Sequence, residues 1–201
     1  MQNKSKALAA LVGSRICHDL ISPIGAISNG LELMSLSDQV SSDELALIVA
    51  SVANANARVR LFRIVFGLAN ESQKIKSTEI DQVLRGVYTD SKISVDPFPT
   101  GEFPRLQVQA VLLAVMCVEQ SVPYGGKLSV VQLENGWRIR AAGTRVNIDQ
   151  TLWVLLGEET IDDMPAPAGI QFAMLPELAR SLNMTLQVEK DEQDVTISIT
   201  A

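Results

Sequence analysis

Two apolar stripes of helical period, separated by a short polar connection, fill the N-terminal third of this chain and leave little choice of architecture there. In the first, Ile16, Leu20, Ile24, Ile27, Leu31 and Met34 are spaced by four, four, three, four and three residues. At about 100° per residue these positions fall within roughly 80° of one another, an amphipathic stripe. In the second, Ile48, Val52, Ala55, Val59, Phe62, Phe66 and Ala69 alternate steps of four and three, the spacing of a heptad-like seam. The stretch from Leu36 to Ser42 is polar, and Ser42 with Asp43 suits an N-cap. This pattern predicts an antiparallel helical hairpin. Two helices enclose too little volume to bury both stripes, and Ala9, Ala10, Val12, Cys17 and Leu33 add apolar surface. The expectation is a homodimer in which two hairpins form a four-helix bundle. The alternative is a hairpin packed entirely on the rest of its own chain.

His18 is the only histidine. On the wheel of the first helix it lies within roughly 40° of Ser14, Ser22, Gly25 and Asn29, opposite the stripe. The imidazole is expected to face away from the core among small neighbours, with Ile21 about 60° away on the edge of that face. Neutral imidazole is a good nucleophile near pH 7. The adjacent Asp19 can hold one ring N–H and leave the other nitrogen's lone pair free. The plainer reading is a solvated histidine on a helix face. Pro23 removes a backbone N–H and obstructs the carbonyl of Asp19, which predicts a bend or loosening one turn past the histidine. The stripe runs on in phase to Met34, so the helix is not expected to end there.

The chain has 201 residues, enough for one large domain or two small ones. A composition of 47% hydrophobic and 20% charged residues excludes a disordered chain. No uninterrupted apolar run approaches the roughly 18–20 residues of a membrane span. The segment after Met1 has neither the apolar core nor the cleavage site of a signal peptide. Cys17 and Cys117 lack metal-type spacing and are expected as small apolar residues in a reducing cytosol. The net charge of −6, with no basic stripe, speaks against nucleic acid. The expectation is a cytoplasmic protein without membrane or nucleic-acid contacts.

From Ile75 the period changes. The pattern predicts a helix over 77–91, a short strand over 92–95, a proline-rich loop to Pro104 and a helix over 106–122. A strand over 127–133 turns through Glu134-Asn135-Gly136 into a strand over 137–142. A helical segment over 149–156, an acidic proline-rich loop over 162–167 and a helix over 169–182 follow, the last despite Pro176. Strands over 185–190 and 194–200 close the chain. The predicted fold class is α+β: a hairpin domain over 1–75, and over 76–201 an α/β sandwich with helices on an antiparallel-rich sheet.

A helical hairpin with a surface His-Asp and a downstream proline, followed by this element order, resembles the dimeric two-component histidine kinases. His18-Asp19-Leu20 with Pro23 looks like their phosphoacceptor box, and the C-terminal part resembles their ATP-binding domain. The nucleotide motifs depart from that pattern. Cys117 stands about where the kinases place a magnesium-binding asparagine, and a thiol is a poor ligand for Mg²⁺. The adenine-binding Asp-x-Gly-x-Gly reads Ala141-Ala142-Gly143-Thr144-Arg145, and the lid Gly-x-Gly reads Gly169-Ile170-Gln171. The run from Cys17 to Leu33 is similar to the ChpT-type histidine phosphotransferases of cell-cycle signalling.

That resemblance implies a phosphorelay intermediate that uses no ATP. A hybrid histidine kinase's receiver would phosphorylate His18, and the group would pass to a response-regulator receiver. Asp19 would orient the imidazole, or be an ordinary surface acid. Arg15 would meet the phosphoryl charge, or be a solvated arginine. Ile21, Ser22 and Gly25 would line the docking surface. No cofactor or metal is implied on this chain, the Mg²⁺ belonging to the receiver. The segment Val146–Leu156 with Trp153 would form a second contact patch or part of the core. The alternatives are a diverged ATP-dependent histidine kinase and a non-catalytic dimeric scaffold.

Overall fold

The computed structural model describes residues 2–36, 42–158 and 164–201. Helix α1 (Gln2–Leu36) and helix α2 (Ser42–Val65) form the expected hairpin; the polar connection over 37–41 lies outside the described residues. Helix α1 continues through Pro23, whose ring is buried in the groove facing α2. Gly30 lets the two helices approach closely, since a Cβ there would lie 2.6 Å from Ile48 Cγ1.

The stripes are not single buried faces. Ile16, Leu20, Ile27 and Met34 are half-buried, but Ile24 and Leu31 are 52% and 54% exposed. In α2, Ile48 and Phe62 are buried while Val52 and Val59 are exposed. Leu45 and Val49 join them outside, so Leu45, Val49, Val52 and Val59 make an outward seam with Asn56 between. The reason is that α2 faces α1, the C-terminal layer and open surface at once, and its apolar residues are shared among three directions. The same outward residues make α1 from Lys6 and all of α2 long and apolar enough to cross a membrane, by length and composition only. The absence of an uninterrupted apolar run did not reveal this.

The C-terminal layer is a five-stranded sheet carrying helices. Its elements are β1 (Lys74–Lys76), α3 (Ser77–Tyr88), β2 (Ile93–Val95), β3 (Glu102–Pro104), α4 (Arg105–Glu119), β4 (Gly126–Leu133) and β5 (Gly136–Ala142). There follow α5 (Gln150–Trp153), which runs into a 3-10 turn (Val154–Gly157), a second 3-10 turn (Pro167–Gly169), α6 (Ile170–Ser181), β6 (Thr185–Lys190) and β7 (Asp194–Thr200). The sheet order is β2-β4-β5-β7-β6, with β2 parallel to β4 and every other pairing antiparallel. β1 and β3 form a separate antiparallel pair, β3 inside the predicted proline-rich loop and β1 at the expected boundary between the two domains, where the sequence predicts no strand. Three residues ending in a proline carry almost no strand signal. The expected helix over 149–156 is one turn, capped by Asp149 accepting from the Thr151 N–H at 3.0 Å, before it tightens. Part of the acidic loop, residues 162 and 163, lies outside the described residues.

Helix α4 is the centre. Every residue from Val108 to Val118 is buried, as a helix apolar all round must be. It packs on the sheet, on α6 and on the C-terminal half of α2. Ala57, Leu61, Phe62, Ile64 and Val65 of α2 belong to the same core as Ile139, Phe172 and Ile197. Helix α3 approaches α2 at Gly86, where a Cβ would lie 2.7 Å from that of Ala57. The hairpin is thus rooted in the C-terminal layer at one end, and α1 touches the 167–169 turn and α6.

Candidate functional site

The side chain of His18 is 74% exposed on α1, as its place on the wheel requires. Its neighbour Asp19 is only 9% exposed and organises the surroundings. His18 Nδ1 lies 3.0 Å from Asp19 Oδ1. With Nδ1–H donated to the carboxylate, Nε2 is left as the bare nucleophilic nitrogen on the open side. The second carboxylate oxygen, Oδ2, accepts from Arg15 Nε at 2.9 Å and lies 3.8 Å from Arg58 Nη1. A carboxylate so surrounded keeps its orientation.

Arg58 and Asn54 come from α2. Arg58 Nε donates to Asn54 Oδ1 at 3.0 Å, and Asn54 Nδ2 donates to the Val87 carbonyl at 3.3 Å. With His18, Asp19, Ser22, Pro23, Leu47 and Asp90 these residues line a groove of 540 Å³ between α1 and α2. Behind it Tyr88 Oη donates to Glu119 Oε2 at 2.8 Å. Burial raises the Glu119 carboxyl above the usual range, against the opposing pull of the Tyr88 hydrogen bond and of Arg58 and Arg15. Burial likewise raises the Tyr88 phenol, and Glu119 adds to that.

The predicted site residues separate into three groups. His18, Asp19 and Ser22 share the groove. Ile21 is 72% exposed outside it, and Gly25 fronts open space, with no atom within 4 Å of where a Cβ would stand. Arg15 differs from expectation, because its side chain is 12% exposed and already engaged. Besides Asp19 it donates through Nη1 to the Ala168 carbonyl, so it is not a free cation awaiting a phosphoryl group. Sequence reasoning missed Arg58 and Asn54. Their i,i+4 spacing marks a helical pair, but nothing local says which residues of α1 they meet.

Cys117, Ala141 and Gln171, which the sequence marks as departures from the kinase nucleotide motifs, are all buried. Cys117 is buried, and burial pushes its thiol well up. Ala141 is fully buried between Leu128 and Val195. Gln171 is fully buried and donates to the Ala168 and Met116 carbonyls at 3.1 and 3.4 Å. Trp153 is buried against Phe172, ring centroids 5.4 Å apart, so this part of the 146–156 segment is core. Among the described residues no group of acidic, thiol and imidazole side chains is placed to hold a metal ion.

Comparison with known proteins agrees with this layout. The family model for the histidine phosphotransferase C-terminal domain matches residues 77–194, more than half of the chain. Protein phosphotransferase ChpT of Brucella abortus (strain 2308) is 37% identical over 129 residues, covering 61% of this chain and 59% of that protein. The match thus spans less than two thirds of that curated relative's length. A bacterial phosphotransferase solved at 1.7 Å superimposes with a TM-score of 0.78 at 27% identity, covering 96% of this chain and 95% of the other. An outward imidazole braced by a buried carboxylate, on a chain matched in this way along its C-terminal layer, places the protein in the histidine phosphotransferase family.

Proposed function

We propose that this protein relays phosphoryl groups between receiver-domain aspartates through His18, without using ATP. The observation that carries the reading is the His18–Asp19 pair, with the ring in solvent, Nδ1 held at 3.0 Å and Nε2 free. A receiver docking over the groove brings its phosphoaspartate in line with Nε2. The Nε2 lone pair forms the P–N bond as the acyl P–O bond breaks, and the receiver's carboxylate leaves with the electron pair. Such transfer passes through a loose transition state, so alignment and charge placement supply most of the catalysis. The Mg²⁺ that neutralises the acyl phosphate belongs to the receiver. The phosphoimidazole carries positive charge on the ring, which Asp19 balances through Nδ1–H. In the second half, a carboxylate oxygen of another receiver attacks phosphorus and the P–N electrons return to Nε2.

The donor is read as a hybrid kinase's receiver and the acceptor as a response regulator's, with Ile21, Ser22 and Gly25 under the docked partner. Arg58, facing the groove, is the cation best placed to meet phosphoryl oxygens. The outward seam of Leu45, Val49, Val52 and Val59, with Ile24 and Leu31, supports a homodimer whose hairpins form a four-helix bundle. The division into a hairpin over 1–75 and an ATPase-like layer over 76–201, and a cytoplasmic location, belong to the same reading. The buried Cys117, Ala141 and Gln171 do not fit a nucleotide and its Mg²⁺.

Incubation with a phosphorylated receiver domain tests the proposal. The chain should take up acid-labile, alkali-stable label that H18A abolishes, and incubation with labelled ATP alone should leave it unlabelled. Label from ATP alone would establish a kinase. Absence of transfer, with intact receiver binding, would establish a scaffold.

A further inference from the structure

The Ala168 carbonyl, in the turn before α6, gathers side chains from three elements. Arg15 Nη1 reaches it from α1. Gln120 Nε2 reaches it at 2.6 Å from the end of α4, and Gln171 Nε2 at 3.1 Å from the first turn of α6. Gln171 is fully buried and also donates to the Met116 carbonyl, which ties the turn to α4. This is the stretch that resembles a kinase's phosphate lid, with Gln171 where the second lid glycine would stand.

We propose that this turn has become the anchor that fixes Asp19 beside His18, with Arg15, Gln120 and Gln171 as positioning residues. The inference rests on the relay reading for its consequence, though not for its geometry. A guanidinium is a rigid planar fork. One arm of Arg15 is held by the Ala168 carbonyl while its Nε holds Asp19 Oδ2 at 2.9 Å. The location of one backbone oxygen in the C-terminal layer therefore sets the rotation of the Asp19 carboxylate, and with it the aim of Oδ1 at Nδ1. Arg58 cannot substitute, because its Nη1 is 3.8 Å from the carboxylate, beyond hydrogen-bond reach. The pairing is also shielded, with Arg15 12% and Asp19 9% exposed. In this account the C-terminal layer serves the histidine without touching it.

The test uses the full chain with ¹⁵N-labelled histidine. NMR near neutral pH reports the fraction of neutral His18 protonated at Nδ1, with no receiver present. Rapid-quench labelling by a phosphorylated receiver reports the uptake rate, and receiver affinity is measured separately. R15K keeps the charge but loses the fork. Q120A removes an anchoring donor at the end of α4, and Q171G restores the lid glycine. The expected result is a fall in the Nδ1-protonated fraction in R15K, with uptake slowed about tenfold at unchanged receiver affinity, and smaller shifts of the same sign in Q120A and Q171G. A merely structural role would lower thermal stability without moving the tautomer ratio. An unchanged tautomer ratio in R15K, or wild-type uptake by R15K, would overturn the anchor. If the wild-type chain took no label, the relay reading would fall, while the tautomer comparison would still decide the anchor by itself.

Discussion

Replacing Asp19 by asparagine is the sharpest single perturbation of this site. The shape is kept, the negative charge is removed, and three partners are affected: His18 Nδ1 at 3.0 Å, Arg15 Nε at 2.9 Å and Arg58 Nη1 at 3.8 Å. A hydrogen bond to a charged group contributes about 1.5–3 kcal/mol. The ring is 74% exposed, and water screens the charge term, so the lower part of that range applies. A loss of about 1.5–2 kcal/mol in the transition state slows phosphoryl uptake about 10- to 30-fold. The cost to stability is separate: Arg15, 12% exposed, loses its carboxylate, which costs about 1–3 kcal/mol. In a chain of this size each kcal/mol lowers Tm by about 2–4 °C. The assay is rapid-quench transfer from a phosphorylated receiver to D19N, alongside a thermal melt and a binding measurement. Uptake should fall with receiver affinity unchanged and Tm lowered by several degrees. Wild-type uptake by D19N would refute the reasoning, because the carboxylate would then be incidental to the nucleophile.

V52D combined with V59D should dissociate the proposed homodimer without unfolding the C-terminal layer, since both valines face outward; sedimentation should give a dimer mass for wild type and a monomer mass for the variant, and an unchanged mass would remove the seam from the interface. A thiol reagent should modify the exposed Cys17 quickly, while Cys117, buried with its thiol pushed well up, should react only as the chain unfolds. Burial raises the folded pKa of Glu119 above its unfolded value of about 4.3, so its contribution to stability is fully present below that value and fades as pH rises through the folded pKa. E119Q, which keeps an acceptor for Tyr88 Oη, should therefore melt higher than wild type near pH 8 and level with it near pH 4. A difference independent of pH would count against that burial.

The lesson of the hairpin lies in where its apolar residues ended up. Periodicity located both helices and turned His18 outward, because a side chain's azimuth on a helix follows from its position alone. The same periodicity read Ile48 to Ala69 as one seam, whereas Val52 and Val59 are exposed and Ile48 and Phe62 are buried. A wheel gives direction and does not say how many neighbours lie there. The last two strands were legible to the residue, because alternation and a turn are local. The β1–β3 pair was not, because three-residue strands are created by their partner.

The chemistry divides along the same line. The order of residues along α1 by itself placed an imidazole in solvent and set a carboxylate beside it. Only the tertiary structure decided what holds that carboxylate. Arg58 comes from the facing helix, and the Ala168 carbonyl lies 153 residues from Arg15 along the chain. Such partners share no local signal, since the free energy that joins them comes from the core packing that folds the C-terminal layer against α1 and α2.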